Sequence, residues 1–219
     1  MILSVRGVSR SFGDVHAVQD VTFDVEPGTM VALVGRSGSG KTTLLNLIGG
    51  LDRPSAGTVV VDGEDVTGLD EDGLSRLRRE KLSYIFQTFG LIPVLSAAEN
   101  IGAPLRLART PAADRERRVK LLLDLVGLGD HAEQRPGELS GGQQQRVAIA
   151  RSLAASPRLL IADEPTGQLD AETGRSVMAL LRGVVESEGV TVLVATHDPL
   201  MMALADRVIQ ISDGRLVEC

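Results

Sequence analysis

A glycine-rich stretch with a single lysine is the part of this 219-residue sequence that most clearly indicates chemistry. It fits the pattern G-x-x-x-x-G-K-[ST] and reads Gly35, Arg36, Ser37, Gly38, Ser39, Gly40, Lys41, Thr42 and Thr43. The glycines let successive backbone N–H groups point inward, while the following helix start and Lys41 add positive charge. Thr42 can offer its hydroxyl to a Mg²⁺ ion that bridges the outer phosphates. The stretch therefore predicts a cradle for a nucleoside triphosphate.

Two adjacent carboxylates close an apolar run in the last third of the chain. Residues 159–162 predict a buried strand, and Asp163 and Glu164 follow it directly. In open α/β sheets ligands bind beyond the carboxyl ends of the strands, so we expect both carboxylates beside the glycine-rich loop. Asp163 would hold Mg²⁺, directly or through water, and Glu164 would polarise the water that attacks the γ-phosphate. Helix capping before Pro165 is the other interpretation of this pair, and the loop upstream favours catalysis.

A serine, two glycines and a glutamine predict a second helix start that can bind an anion. Ser140 and Gln143 fit the capping box S-x-x-Q, which explains these two residues. Two consecutive glycines disfavour a first helical turn, so Gly141 and Gly142 indicate a backbone that a ligand approaches closely. Bare amides and a hydroxyl at a helix N-terminus form a second anion site. The phosphates held by a single glycine-rich loop do not obviously occupy it.

The hydrophobic pattern around these motifs predicts an α/β fold. Met30–Val34 predicts a strand before the loop, and later apolar strands alternate with helices, as is typical of a parallel sheet covered on both faces. Residues 2–25 alternate like antiparallel strands with turns at Gly13-Asp14 and Pro27-Gly28. Further strands are predicted at 57–61, 82–86, 158–162, 190–195 and 208–211, and helices at 74–81, 96–107, 112–125, 172–185 and 200–205.

The middle third of the chain carries helical patterns only. We therefore predict one domain, 1–219, in which residues 1–87 and 156–219 form a catalytic core with a β-layer. Residues 88–155 form an inserted helical subdomain.

Composition limits the classes of partner. A formal net charge of −6 argues against nucleic acid as a main partner, and the basic clusters at 76–81 and 115–120 have acidic neighbours typical of solvated helix faces. Cys219 is the only cysteine, which excludes a disulfide framework. The N-terminus lacks the apolar block of a signal peptide, and no run approaches the length of a membrane span. We expect a cytoplasmic chain unless a partner holds it at a membrane.

The set of motifs, in its order along the chain, resembles the nucleotide-binding subunits of ABC (ATP-binding cassette) transporters. Residues 139–143 resemble the family's signature, and the glycine-rich loop precedes them as its P-loop. The other matching elements are Gln87 for the Q-loop, Asp163-Glu164 for Walker B, residues 167–170 for the D-loop and His197 for the switch histidine. Segments 86–93, 140–151 and 162–167 are similar to the macrolide-export and lipoprotein-release branch.

The resemblance implies a P-loop NTPase (RecA-like) core with a parallel sheet, an N-terminal antiparallel β-layer and an inserted α-helical subdomain. It further implies an ATPase that uses ATP and Mg²⁺ to drive a separately encoded integral-membrane permease, as in an exporter or a lipoprotein-release complex. Such a subunit lies in the cytoplasm, peripheral to the inner face of the cell membrane, with its permease docked in a groove of the helical subdomain.

The family resemblance also implies a homodimer that forms on ATP binding. Two copies would pack head to tail, so that the serine and glycines of residues 140–142 in one copy close over the γ-phosphate held by Lys41 of the other. Asp170 would cross the same interface. His197 would bond to the γ-phosphate and orient the water with Glu164. Gln87 would sense the γ-phosphate and Mg²⁺ and link the core to the helical subdomain.

The predicted site therefore contains three sets of residues. The catalytic residues are Lys41, Gln87, Glu164 and His197. The nucleotide contacts are Phe12, Gly35, Ser37, Gly38, Ser39, Gly40, Lys41, Thr42, Thr43, Gln87, Ser140, Gly141, Gly142, Gln143, Asp163 and Asp170. The metal ligands are Thr42, Gln87 and Asp163. Phe12 has two open interpretations, a ring that stacks on the base or a core residue of the strand layer.

Two other functions are open, and one of them, a soluble ABC ATPase of DNA repair or translation, belongs to a different class. A soluble ABC ATPase of DNA repair carries long coiled-coil or other insertions, and residues 41–140 show no sustained heptads. Translation members usually carry two cassettes, and this chain has one. A non-transporting complex, in which the membrane partner only transmits force, is the remaining alternative within the branch.

Overall fold

The computed structural model describes residues 1–217, with side chains for all of these except Leu200 and Met201. The strands are β1 (Leu3–Phe12), β2 (Val15–Val25), β3 (Met30–Val34), β4 (Ala56–Val61), β5 (Glu64–Asp65), β6 (Leu82–Ile85), β7 (Leu159–Asp163), β8 (Thr191–Thr196), β9 (Arg207–Ser212) and β10 (Arg215–Val217). The helices are α1 (Lys41–Ile48), α2 (Glu71–Glu80), α3 (Ala97–Leu107), α4 (Ala112–Leu125), α5 (Gly141–Leu153), α6 (Ala171–Glu188) and α7 (Pro199–Leu204). Cys219, on which the exclusion of disulfides rests, lies outside the described residues.

The main sheet has the order β10-β9-β3-β8-β7-β6. Strands β9, β3, β8, β7 and β6 are parallel, as the fully apolar runs predict. β10 was not predicted, because three residues at a sheet edge leave too short a pattern, and it pairs antiparallel with β9.

The second sheet is antiparallel, in the order β2-β1-β4-β5, which confirms the predicted N-terminal β-layer. The short alternating runs at 2–25 form two long strands, β1 and β2, joined at Gly13-Asp14. The pairs of β1 with both neighbours shift register, and such irregularities bend a strand over the layer below it.

Alternate residues of the main sheet pack into two different cores. Val31, Leu33 and Leu193 pack with α1 and the antiparallel sheet. Ala32 and Val194 pack on the other face with α6 and with the helices of the middle third. Burial on both faces explains why these strands are apolar without alternation. Helices α3, α4 and α5 all lie within 88–155, while the division of the chain into core and subdomain stays a prediction.

Within residues 1–217, no helix combines the length and the apolar character that crossing a bilayer requires.

Candidate functional site

Four neighbouring strands of the main sheet end at one edge, and each leads into a predicted motif. β3 runs into the glycine-rich loop, β7 ends at Asp163, His197 follows β8, and the chain reaches Gln87 just after β6. The order β3-β8-β7-β6 makes these four ends adjacent. Parallel strands thus bring together motifs that lie far apart in the sequence.

Two glycines allow the loop to pack closely against its surroundings. Gly40 stands at the N-cap of α1 with φ 102°, and a Cβ there would lie 2.3 Å from the carbonyl oxygen of Ala17 in β2. A Cβ on Gly35 would lie 2.3 Å from the carbonyl oxygen of Ile211 in β9. No side chain fits so close to a backbone oxygen, and the positive φ at Gly40 strongly favours glycine as well. The first amides of α1 follow directly, and helix-start amides attract anions.

Lys41 is a buried ammonium group, only 7% exposed, at the start of α1. Its Nζ donates to the carbonyl oxygens of Gly35 at 2.8 Å and Arg36 at 3.1 Å. The same Nζ lies 3.7 Å from Oε1 of Glu164. A buried charge is costly unless it is paired and hydrogen-bonded, and these contacts satisfy that requirement while they set a full positive charge beside the loop.

Glu164 lies between a lysine and a histidine. Its φ of 46° is in the left-handed region, which is uncommon for a non-glycine residue and clusters at functional sites. Its N–H donates to the carbonyl oxygen of Ala195 at 3.0 Å. Its Oε2 lies 2.8 Å from Nδ1 of His197, whose side chain is largely exposed. The carboxylate is therefore anchored at its backbone and aimed by both neighbours.

Asp163, the other carboxylate of the pair, fits a magnesium ligand. Burial raises the pKa of its carboxyl, a hydrogen bond with the Thr42 hydroxyl opposes the rise, and the charge of Glu164 adds to it. Its Oδ1 is buried and has no hydrogen-bond partner among residues 1–217. Mg²⁺ takes one or two carboxylates, phosphate oxygens and water, so this orphaned oxygen beside a hydroxyl fits the ion.

The described part of the chain has no group of three or more His, Cys, Asp or Glu side chains that could hold a metal.

A cavity of about 920 Å³ opens in front of these groups, a size typical of small-molecule sites. Nine predicted site residues line it: Ser37, Gly38, Gly40, Lys41, Thr42, Thr43, Gln87, Glu164 and His197. The lining also contains Arg36 of the predicted glycine-rich loop and Gly167 of the predicted D-loop. The remaining residues were not predicted and are Val15, His16, Ala17, Gln19, Asp213 and Gly214.

The unpredicted wall comes mostly from the β-layer and from the turn between β9 and β10. The N–H of Gln19 donates to the carbonyl oxygen of Gly214 at 2.7 Å, and the N–H of Gly214 donates to that of Ser39 at 3.0 Å. These bonds join three distant segments at the loop. Asp213-Gly214 is a recognisable turn pattern, but no signal in the sequence places that turn, or His16, beside the phosphate cradle.

The signature turn, residues 140–143, lies apart from this cavity, and none of its four residues belongs to the lining. Oγ of Ser140 accepts from the N–H of Gln143 at 3.3 Å, and Oε1 of Gln143 accepts from the N–H of Ser140 at 2.8 Å. The predicted capping box is therefore confirmed.

Gly142 has a packing role that the sequence did not reveal. A Cβ there would lie 2.4 Å from Cγ2 of Thr173 in α6, whereas a Cβ on Gly141 would lie 3.5 Å from its nearest neighbour, Leu169. The Thr173 hydroxyl donates in turn to the Asp170 carboxylate at 2.6 Å. Close packing within the chain thus explains Gly142, and the approach of a ligand to Gly141 and Gly142 stays a prediction.

Besides the signature turn, five predicted contacts lie outside the cavity lining: Gly35 and Asp163, described above, and Asp170, Ser39 and Phe12. Asp170 caps α6, and the hydroxyl of Thr173 is the main cause that lowers its pKa. Ser39 is buried, and its Oγ has no partner in the described range. Phe12 is 50% exposed with the Arg10 guanidinium 4.5 Å from its ring centroid. The core interpretation of Phe12 is therefore wrong, and stacking on a base stays a prediction.

The comparison with protein families agrees with this geometry. Residues 18–167 match the family model described as ABC transporter, from β2 through the glycine-rich loop and the signature turn to the residues after Glu164. The chain belongs to the ABC transporter family. The resemblance inferred from the order of the motifs is confirmed.

Curated relatives in this family carry the name of one branch. The chain is 46% identical to the macrolide export ATP-binding/permease protein MacB 1 of Yersinia pestis bv. Antiqua, over 99% of this chain and 34% of that protein. It is 47% identical to MacB of Brucella melitensis, over 93% of this chain and 31% of the relative. The chain thus spans about a third of the length of these relatives. The predicted similarity to the macrolide-export branch is confirmed.

Solved ABC cassettes share the whole fold. The ATP-binding cassette MJ0796, described as a dimer in a post-hydrolysis state bound to ADP and Pi, is 39% identical with a TM-score of 0.89 over 99% of this chain and 97% of its own. The cbiO1 protein of Clostridium perfringens is 28% identical with a TM-score of 0.92 over 99% and 87%. The predicted fold class is confirmed, and the chain has the fold of an ATP-binding cassette.

Proposed function

We propose that this cassette binds MgATP and hydrolyses it in a site that two copies of the chain complete head to tail. The observation that carries the proposal is a division of the machinery. Lys41, Glu164 and His197 meet at one cavity, whereas residues 140–143 of the same chain lie apart from it. Because a helix start with exposed amides suits a phosphate, the γ-phosphate held by a second copy is a suitable ligand for that turn.

Within the cavity, binding and proton transfer fall to different residues. The loop amides and Lys41 hold the phosphates, and Thr42 and Asp163 would hold Mg²⁺ together with Gln87. Bound there, the ion would neutralise charge that develops on the phosphate oxygens. Glu164 accepts the proton of the attacking water.

His197 and Asp170 act in this proposal on either side of the γ-phosphate. His197, 2.8 Å from the Glu164 carboxylate, orients that carboxylate and contacts the phosphate. Asp170 lies next to the signature turn through Thr173, so both reach the interface together.

The solved relatives support the dimer. MJ0796 is described as dimeric in two structures, one of them bound to ADP and Pi. We infer that the present chain forms the same kind of homodimer when ATP binds, and that hydrolysis releases it, since the triphosphate is part of the contact.

We further infer an integral-membrane permease as the second partner. The curated relatives are named ATP-binding/permease proteins for macrolide export, and this chain spans about a third of them. These names favour an exporter over a soluble ABC ATPase or a non-transporting complex. The cassette would then act in the cytoplasm at the inner face of the membrane.

A cleft of about 450 Å³ between α2, α3 and α5 is the proposed docking place. Leu107, which is 76% exposed, lines it together with Leu82 and Ser83 of β6. The same strand leads to Gln87 in the phosphate cavity. A change in the contacts of Gln87 can therefore reach the cleft through a few residues of one strand.

The substitution Glu164→Gln tests the ATPase proposal. We expect a variant that binds ATP, turns over about 10²–10⁴-fold more slowly because the base is lost, and elutes as a dimer with MgATP in size-exclusion chromatography. Glu186→Gln, on the outer face of α6, is the matched control and should behave as the wild type. A Glu164→Gln variant that stays monomeric with full turnover would refute both the base and the closure of the dimer.

A further inference from the structure

His131 is a histidine outside the cavity that contacts the signature turn. It ends the short 3₁₀ turn Gly129–His131, between α4 and α5. Its Nε2 lies 3.2 Å from Nε2 of Gln143, and its Nδ1 lies 2.8 Å from Oε1 of Gln134. The ring thus bridges two glutamine amides, one of which belongs to the capping box of residues 140–143.

The direction of each hydrogen bond follows from the backbone. The N–H of Ser140 can only donate, so the Gln143 oxygen must face it, as the 2.8 Å contact shows. The NH₂ group of Gln143 then faces His131, whose Nε2 must be an unprotonated acceptor. The neutral ring therefore carries its proton on Nδ1, which donates to the Gln134 oxygen. Both ring nitrogens have a hydrogen-bond partner in this one arrangement.

Protonation of His131 is incompatible with this arrangement. A second N–H, on Nε2, would face the NH₂ group of Gln143, donor against donor. To remove this clash between two donors, the Gln143 amide must turn its oxygen toward the ring. The N–H of Ser140 then has lost its acceptor. One of the two capping-box bonds is lost, and the N–H of Ser140, at the start of the signature turn, loses the partner that fixes its orientation.

We propose that His131 is a positioning residue for the signature turn, which holds the turn when neutral and releases it when protonated. Histidines change charge between about pH 5 and 8, so acid weakens the anion site of residues 140–143. The effect on dimer closure rests on the proposed function, whereas the hydrogen-bond arrangement does not.

The surroundings of the ring include charges of both signs. Helix α3 packs here through Ala98, whose N–H donates to the carbonyl oxygen of Ala132. The ring's own turn and the next one carry Asp130, Glu133, Arg135 and Glu138. The charged residues of the three neighbouring helices are Glu99 and Arg106 on α3, Asp114, Arg115, Glu116, Arg117, Arg118, Lys120 and Asp124 on α4, and Arg146 and Arg151 on α5. Glu99 and Glu138 bond to the first N–H of their own capping boxes, and Arg146 bonds to the carbonyl oxygen of Val126. The ring's side-chain hydrogen bonds go to the two glutamines.

Nitrogen-15 NMR of the ring tests the arrangement without any assumption about ATP. At pH 7.5 we expect the Nδ1–H tautomer, and a ring protonated on Nε2 alone would overturn the proposal. On acidification the backbone amide signal of Ser140 should shift together with the titration of His131. In His131→Phe that shift should vanish, and its persistence would also overturn the proposal.

ATP-driven dimerisation of the Glu164→Gln variant tests the consequence. Loss of a helix cap weakens binding by about fivefold for each signature turn. A dimer contains two such turns, so we expect dimerisation about twenty-five-fold weaker at pH 5.5 than at pH 7.5. His131→Phe should abolish this difference. Gln143→Glu should abolish it too, because a carboxylate accepts both from the Ser140 N–H and from a protonated ring. An undiminished acid loss in either variant contradicts the inference, whereas absence of a dimer at every pH contradicts the proposed function and leaves the NMR result to decide.

Discussion

At the residue scale, Lys41 contributes a buried positive charge to a cradle otherwise made of backbone. Lys41→Ala should lower the affinity for ATP about 10- to 100-fold, because a charge-assisted hydrogen bond contributes about 1.5–3 kcal/mol. Titration with a fluorescent ATP analogue measures it. Arg36→Ala, which removes an exposed charge from the same cavity, is the control and should cost about threefold or less. Unchanged affinity in Lys41→Ala would remove this lysine from its role.

Asp163 should make the folded chain less stable at neutral pH than an amide in its place. Burial raises the pKa of its carboxyl, so the folded state binds the proton more tightly than the unfolded state. The stabilising contribution of this carboxyl to folding is therefore present below the pKa that it has in the unfolded state. It is lost as the pH rises through the pKa that it has in the folded state. Asp163→Asn should therefore raise the melting temperature by a few degrees at pH 7, and the gain should shrink at acid pH.

Asp170 provides the control of opposite sign for this measurement. The Thr173 hydroxyl and backbone N–H groups lower the pKa of its carboxyl, so its contribution is present at neutral pH and is lost as the pH falls. Asp170→Asn should lower the melting temperature at pH 7. Melting curves that shift in the same direction for both variants would contradict the two assignments.

Local conformation was largely predictable in this chain, because glycine-rich loops and capping boxes are built from contiguous residues. The amides after Gly35 and the pair Ser140 and Gln143 act within a few positions of one another. Phe12 shows the limit of such reasoning, since burial depends on what the fold lays over a strand.

At the scale of elements, the packing of α5 against α6 depends on Gly142. Gly142→Ala places a methyl group 2.4 Å from Cγ2 of Thr173, and rotation of that threonine would break its bond to Asp170. We expect a loss of about 1–3 kcal/mol in the free energy of unfolding, measured in urea.

The double substitution Gly142→Ala with Thr173→Ser provides the rescue. Serine keeps the hydroxyl and lacks the methyl group in contact, so most of the lost stability should return. Gly141→Ala, with 3.5 Å of space, should cost less than Gly142→Ala. A double variant no more stable than Gly142→Ala would show that this contact is not the cause.

Most helices and strands were predicted to within a few residues, since long apolar runs and helical periods are local properties. The exceptions have physical causes. β10 is too short to carry a pattern, and β1 and β2 are longer than their alternating runs because register shifts interrupt the alternation.

At the scale of the whole molecule, the cleft beside α3 should decide membrane attachment. Leu107→Glu puts a charge on its exposed apolar wall and should reduce the fraction that co-purifies with detergent-extracted permease about tenfold, as expected for the loss of an interface anchor. Leu121→Glu, on α4 and 48% exposed, is the matched control.

ATP turnover without permease separates a docking defect from a folding defect, and both variants should retain it. Equal co-purification of the two variants would place the permease elsewhere. Ribosomes or DNA in the purified material, in place of a membrane protein, would favour a soluble ABC ATPase.

The order of amino acids alone determined the family of this protein, because each motif is a short run of contiguous residues. The strand order decided how those runs meet, since it makes the ends of β3, β8, β7 and β6 neighbours. Packing between distant segments decided the rest: the wall of β2 and the Asp213-Gly214 turn, the fit of Gly142 on Thr173, and the contact of His131 with Gln143. Such contacts depend on how whole layers stack, and no local pattern encodes them.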